Sequence, residues 1–333
     1  MVYTITFNPS LDYFVWMRNF ELGKTNRTFK ERMAPGGKGI NVSVMLHSLG
    51  MESVAIGFTA GFIGKEIERQ IKASGIVPEF IPCEGCSRVN VKLENFEGTE
   101  INGIGPEITA ENLAALYRRF DSMQDGDCLV LGGSLPKSVP DTIYKDILQH
   151  LHADVSGKKA LYGDDSAEET SQDGKLQGRK ILTVVDTSGQ QLLDVLPYHP
   201  FLIKPNVDEL GEVFHREIYF RDDIEKSARL LQEKGAENVL VSMGSLGAIM
   251  IDAYGKLHEL RAPKGHLISS VGSGDAMVAG FIYGYLNYHD YETAFRYGVA
   301  AGSASAFTSS FADKKAVEEL YQKFWEHSDE TVN

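Results

Sequence analysis

Positive charge is scarce in this chain: 33 lysines and arginines stand against 46 aspartates and glutamates, a formal net charge of −13. Clustered Lys and Arg supply most of the affinity for nucleic-acid phosphates, so this balance argues against a nucleic-acid surface. Any anionic ligand has to be met by a local set of donors. Cysteine is sparse too, and although Cys83 and Cys86 have CxxC spacing, no second Cys/His pair lies near them to complete a zinc site. No stretch approaches the apolar length of a membrane span, and residues 1–7 read as a strand rather than a basic signal region. A reducing cytoplasmic location with no membrane partner is expected. What the chain does have is 43% hydrophobic residues over 333 positions, enough for one large domain spanning 1–333.

The apolar pattern alternates strand and helix. Residues 2–7 read as a buried strand ended by Asn8-Pro9-Ser10, with Asp12 just beyond; 52–59 read as a second strand and 61–74 as the helix after it. A helix over 109–120, a strand over 128–134 and a helix over 140–151 continue the rhythm, with His150 and His152 read as solvated at its polar end. Three further strands, 181–186, 201–204 and 238–243, each run into a polar or glycine turn. This order predicts an α/β/α three-layer fold with a mostly parallel sheet, and turns gathered on one edge are where such folds bind ligands. Two strand-rich interruptions, within about 13–33 and 80–105, predict a small second sheet. In the second, Arg88, Asn90 and Lys92 alternate, which places all three side chains on one face. Residues 153–180 are polar and too long for an ordinary connection, and read as a surface insertion.

Four segments carry chemistry. Ser269–Asp275 opens an apolar helix with two glycines and a serine, and unpaired N–H groups with the helix dipole make such a start a natural anion site. Asp275 there serves either as dipole compensation or as a base beside a bound phosphate, and the segment alone leaves both open. Residues 34–46 form a glycine-rich turn into a helix. It is not a Walker A loop, because Lys38 is followed by Gly39 where Ser or Thr should stand. Its glycines permit close approach while Lys38 and Asn41 offer donors, although a plain helix start fits as well. Asn206 and Glu209, one turn apart, fit a hydrated Mg²⁺ or a capping box, and the two are compatible. The small residues of 298–304 read, on their own, as helix packing.

In this order, Gly36-Gly37-Lys38-Gly39-Ile40-Asn41, Asn206-Val207-Asp208-Glu209, Ser242-Met243-Gly244-Ser245-Leu246-Gly247 and Gly272-Ser273-Gly274-Asp275 make nearly the whole chain resemble the ribokinase-like, PfkB-type sugar kinases. The segments 6–12, 23–27 and 98–107 resemble the phosphosugar branch of that family. The resemblance implies transfer of the γ-phosphate of ATP, with Mg²⁺, to the 6-hydroxyl of fructose 1-phosphate. Tagatose 6-phosphate is the alternative acceptor, and a catalytically silent sugar-phosphate sensor the alternative of another class. It implies Asp275 as base and Gly272, Ser273 and Gly274 as an anion hole; Asp12, Gly36, Gly37 and Asn41 on the sugar; and Lys38, Arg27, Arg88, Asn90 and Ser134 around its phosphate. Lys204, Asn206, Ser242, Gly244, Gly247, Val299 and Ser303 would serve the nucleotide, and Asn206 with Glu209 the metal. The small sheet would act as a lid and build a homodimer. The chain departs from the family where an acid usually stands near Ser269 and Ser270, at Ala276 in place of a frequent serine, and in the 153–180 insertion.

Overall fold

The computed structural model describes residues 1–96, 98–152 and 180–326; the expected insertion at 153–180 lies, apart from Lys180, outside the described residues. The chain opens with β1 (Val2–Thr6), β2 (Ser10–Met17), β3 (Thr28–Gly36), α1 (Lys38–Ser48), β4 (Ser53–Ala60), α2 (Gly61–Ala73) and β5 (Val77–Cys83). Next come β6 (Arg88–Leu93), β7 (Glu100–Asn102), α3 (Ala110–Phe120), β8 (Cys128–Gly132), α4 (Ile143–His152), β9 (Leu182–Asp186), α5 (Gly189–Val195), β10 (Leu202–Ile203) and α6 (Val207–Phe214). The last third runs α7 (Arg221–Glu233), β11 (Asn238–Ser242), β12 (Ala248–Ile251), β13 (Leu257–Leu260), α8 (Ser273–Tyr288), α9 (Tyr291–Ala306) and α10 (Lys314–Glu326).

The strands make two sheets. The large one has the order β13-β12-β11-β10-β9-β8-β1-β4-β5, parallel from β11 to β5 and antiparallel at β12 and β13. Both its faces are covered, which is why a strand such as Cys128-Leu129-Val130-Leu131 is apolar throughout. Leu129 and Leu131 pack with α3, α4 and α5 on one side, while Cys128 and Val130 pack with α1, α8 and α9 on the other. Chain order reverses at β1: β4 and β5 lie on one side of it, β8 to β11 on the other. Such a switch point opens a crevice beyond the strands' carboxyl ends.

The small sheet has the order β3-β2-β6-β7. Its register pairs Ser10 with Arg88, Asp12 with Asn90, and Asn90 with Asn102, so these polar residues share one face. Met33, Val91 and Ile101 are in register on the opposite face.

Three sequence readings shift. The turn after β1 is shorter than expected, because β2 starts at Ser10 and Asp12 lies inside a strand. Val77–Cys83, whose second half was read into the second interruption, pairs in parallel with β4 and forms the edge of the large sheet. Pro78 and Pro82 cannot donate to a ladder and suit only an edge strand, and they disguise it in the sequence. His150 is not merely solvated: its Nε2 lies 3.3 Å from Asp121 Oδ1, and its ring meets Tyr117 edge-on.

Candidate active site

A cavity of about 270 Å³ opens at the switch point, between the small sheet's polar face and the carboxyl ends of β1 and β8. Glycines bring the chain this close. A Cβ at Gly37, which has φ 126°, would sit 2.4 Å from Thr6 Cγ2, and one at Gly39 would sit 2.4 Å from the Ile5 carbonyl oxygen. The turn can therefore lie flush on β1, where Ile40 N donates to Thr6 Oγ1 at 3.0 Å. That seating delivers Lys38 and Asn41 to the cavity wall.

On the facing wall the alternation in β6 delivers Arg88, Asn90 and Lys92, as the sequence predicts. Arg88 Nε donates to the Asn8 carbonyl at 3.0 Å and its Nη2 to Ser134 Oγ at 3.2 Å, so it bridges the small sheet to the turns after β1 and β8. Burial lowers its pKa, against the pull of the nearby acids Asp12 and Glu100. Asp12 Oδ1 accepts from Ser10 Oγ at 2.6 Å and Asn90 Nδ2 at 3.0 Å. Three cations, Lys38, Arg88 and Lys92, thus line the cavity against two carboxylates, Asp12 and Glu100. In a chain of net charge −13, this is the local concentration of donors that an anionic ligand requires. Asn8 Oδ1, which packs on Gly105, and Asp186 Oδ1 are the buried side-chain acceptors without a hydrogen-bond partner among the described residues.

Beside this cavity lies the α8 start, with Gly272 in the left-handed region (φ 78°) and Val271 on the cavity wall. Asp275 is buried in the first turn and accepts from Asn41 Nδ2 at 2.7 Å. Its pKa is pushed up to about 6, chiefly by burial and then by the negative charge of Asp186; the Asn41 hydrogen bond, Lys38 and Lys204 act the other way. A buried carboxyl group poised near neutrality beside a cavity lined with cations is suited to general-base work. Lys204 is buried under the same turn, since a Cβ at Gly274 would come within 3.2 Å of its Nζ.

On α6, Asn206 and Glu209 form a reciprocal capping box: Asn206 Oδ1 accepts from Glu209 N, and Glu209 Oε2 from Asn206 N, both at 2.8 Å. Ser242 bridges to Asn206 at the end of β11, followed by the turn of Gly244 and Gly247 on the same rim. Arg27 does not join the cavity; it lines a separate hollow with Arg18 and Lys24 in the β2–β3 loop. Val299, on α9, is fully buried in the core, while Ser303 is partly exposed. The site residues missed in the sequence are Asn8, Ser10, Glu100, Asn102 and Asp186. Lys92 is placed by the alternation on the same face as Arg88 and Asn90, but the sequence reading does not group it with the phosphate donors. Asp186 stands at a strand end like Lys204, but only the fold sets it between two lysines.

The family model of the pfkB family carbohydrate kinases matches residues 6–172 and 162–315. A 1-phosphofructokinase of Bacillus subtilis is 38% identical over 96% of this chain and 97% of its own length. A D-tagatose-1-phosphate kinase of Bacillus licheniformis is 34% identical over 94% of this chain and 95% of its own. Escherichia coli phosphofructokinase-2 in complex with fructose-6-phosphate superposes with a TM-score of 0.81, covering 97% of this chain and 98% of that one; at 24% identity this speaks for the fold alone. The match over most of the length shows that the chain belongs to the pfkB family of carbohydrate kinases, enzymes that take their phosphoryl group from ATP.

Proposed function

We propose that the protein phosphorylates fructose 1-phosphate at its 6-hydroxyl, with ATP as donor and fructose 1,6-bisphosphate and ADP as products. The observation that carries this reading is the three-cation cavity abutting a buried carboxyl group of raised pKa. Arg88, Lys38, Asn90 and Ser134 suit the phosphate already on the sugar, while Asp12, Asn8 and Asn41 suit its hydroxyls. Asp275 accepts the proton of the attacking hydroxyl. The amides of Gly272, Ser273 and Gly274 stabilise charge on the transferring group, work that is mostly positioning and electrostatics.

Ser242, Gly244, Gly247, Ser303 and Lys204 are assigned to the nucleotide side. Among the described residues no cluster of three His, Cys, Asp or Glu side chains could hold a metal. The capping box engages one oxygen of Glu209 and leaves Oε1, so Asn206 and Glu209 suit an ion that keeps ligands from water and phosphate, as Mg²⁺ does. When bound it would neutralise charge on the nucleotide phosphates.

Initial rates with fructose 1-phosphate, tagatose 1-phosphate and tagatose 6-phosphate test the substrate. Fructose 1-phosphate is expected to give the highest kcat/KM. A preference for tagatose 6-phosphate would replace the proposed acceptor, and binding without turnover of any of them would favour the silent sensor.

We further assign the small sheet's outer face to a homodimer, because Met33, Val89 and Ile101 lie exposed on the side away from the cavity. Sedimentation is expected to show a dimer that Ile101→Asp dissociates; a monomeric parent chain rejects the assignment.

A further inference from the structure

Asp186 closes β9 at the sheet's carboxyl edge, with a side chain only 4% exposed. Its Oδ1 lies 3.1 Å from Lys38 Nζ and 3.5 Å from Lys204 Nζ, ion-pair distances at which this buried oxygen accepts no hydrogen bond, and Lys38 Nζ donates instead to the Asp186 carbonyl at 3.3 Å. The two lysines come from different places. Lys38 stands on the wall of the sugar cavity, and Lys204 beneath the Gly274 turn. We propose that Asp186 is a positioning residue for phosphoryl transfer, tying both ammonium groups to one oxygen so that they flank Asp275 from the acceptor side and the anion-hole side at once.

Charge and burial support this role. Burial alone would raise the Asp186 pKa, but the ammonium groups of Lys204 and Lys38 outweigh it and hold the carboxyl below its ordinary value. Lys38, although burial pulls the other way, is held above its ordinary value by Asp186, Asp275 and Glu209. Once Asp275 has taken the proton, two lysines and one aspartate leave a surplus positive charge to meet the transferring phosphoryl group. Without the aspartate, the half-buried Lys38 and the buried Lys204 would repel each other and lose their placement. The groups acting on Asp275 are therefore Asp186 from β9, Lys38 and Asn41 from α1, and Lys204 from the end of β10, with Glu209 of α6 acting on Lys38. Asp186 supplies the negative charge that adds to burial in raising the Asp275 pKa.

The inference rests on Asp275 being the base, and pH profiles separate the two claims. Asp186→Asn keeps the shape and removes the charge. Its kcat is expected to fall by about a hundredfold, the size of effect that misplacing reacting groups produces. Its acid limb in kcat/KM is expected to move to lower pH, because Asp275 loses its negative neighbour and keeps two cations. Lys204→Met should move the same limb the opposite way, and it decides the matter if Asp186→Asn does not fold. A lowered kcat with the acid limb unmoved in either variant that folds would mean that Asp186 only supports the fold, and overturns the proposal. If Asp275→Asn kept both the turnover and the acid limb of the parent enzyme, the base assignment would fail instead.

Discussion

Asp275→Asn is expected to lower kcat by about 10²–10⁴-fold, the range a positioned general base supplies, while KM for ATP stays near that of the parent enzyme. The amide keeps the size of the side chain and can still pair with Asn41, whose Nδ2 donates to Oδ2 at 2.7 Å. What it loses is the ability to take a proton. Steady-state kinetics with both substrates varied provide the measurement, and turnover equal to the parent's would remove Asp275 from the mechanism.

The same group sets a pH dependence whose sign follows from its burial. The proposed base works in its ionised form, so kcat/KM should fall as pH drops through about 6. For stability the sign is reversed. Below the ordinary value of 3.8 both folded and unfolded chains hold the proton, and Asp275 contributes nothing. Between 3.8 and about 6 the unfolded chain has released it and the fold has not, so rising pH across this window destabilises the native state. Above it the full cost is present, on the order of 3 kcal/mol for a shift of about two units. Asp275→Asn should therefore be less active yet more heat-resistant at pH 7.5, with a gain in Tm that disappears near pH 4. Such a trade is expected where a charge is kept buried for chemistry.

How far the sequence reveals this site depends on how local each signal is. Gly36–Asn41 and Gly272–Asp275 are short runs whose glycines serve their own turns, so each can be recognised alone. The alternation of Arg88, Asn90 and Lys92 is local too, and the register of β6 against β2 bears it out. The ion cluster is different. Lys38, Lys204, Asp186 and Asp275 are far apart in the chain and meet because the parallel pairing of β9 with β10 sets Asp186 beside Lys204, while the starts of α1 and α8 come together at the same sheet edge. No window of sequence contains that fact. Composition also misled at β5, where Pro78 and Pro82 hide an edge strand that the pairing with β4 makes plain. Arg27 shows the converse case: grouped by motif with the phosphate donors, it is placed by the β2–β3 loop outside the cavity of its own chain.

Arg88→Ala should raise KM for the phosphorylated sugar by about 10- to 100-fold, corresponding to the ~1.5–3 kcal/mol of a hydrogen bond to a charged group. KM for ATP should change little, because Ser242, Gly244 and Gly247, proposed for the nucleotide, are not among the residues that line this cavity. Arg88→Lys should recover part of the loss, keeping the charge but not the planar fork. The control is the unphosphorylated ketohexose, a poor substrate whose kcat/KM should hardly move, so the variant loses discrimination rather than general competence. A matching rise in KM for ATP would instead indicate that Arg88 acts by pinning the small sheet through Asn8 and Ser134. The size of the effect follows from the charges on the wall. With Arg88 present, three cations face the carboxylates of Asp12 and Glu100; without it, two face two, and Lys92 is already engaged by Glu100 at 2.8 Å. Lys38 is then the one cation left on the wall for the sugar's phosphate, and it is shared with Asp186. A dianion entering that cavity would meet nearly as much repulsion as attraction, and the loss should fall on sugar binding before it reaches the chemical step.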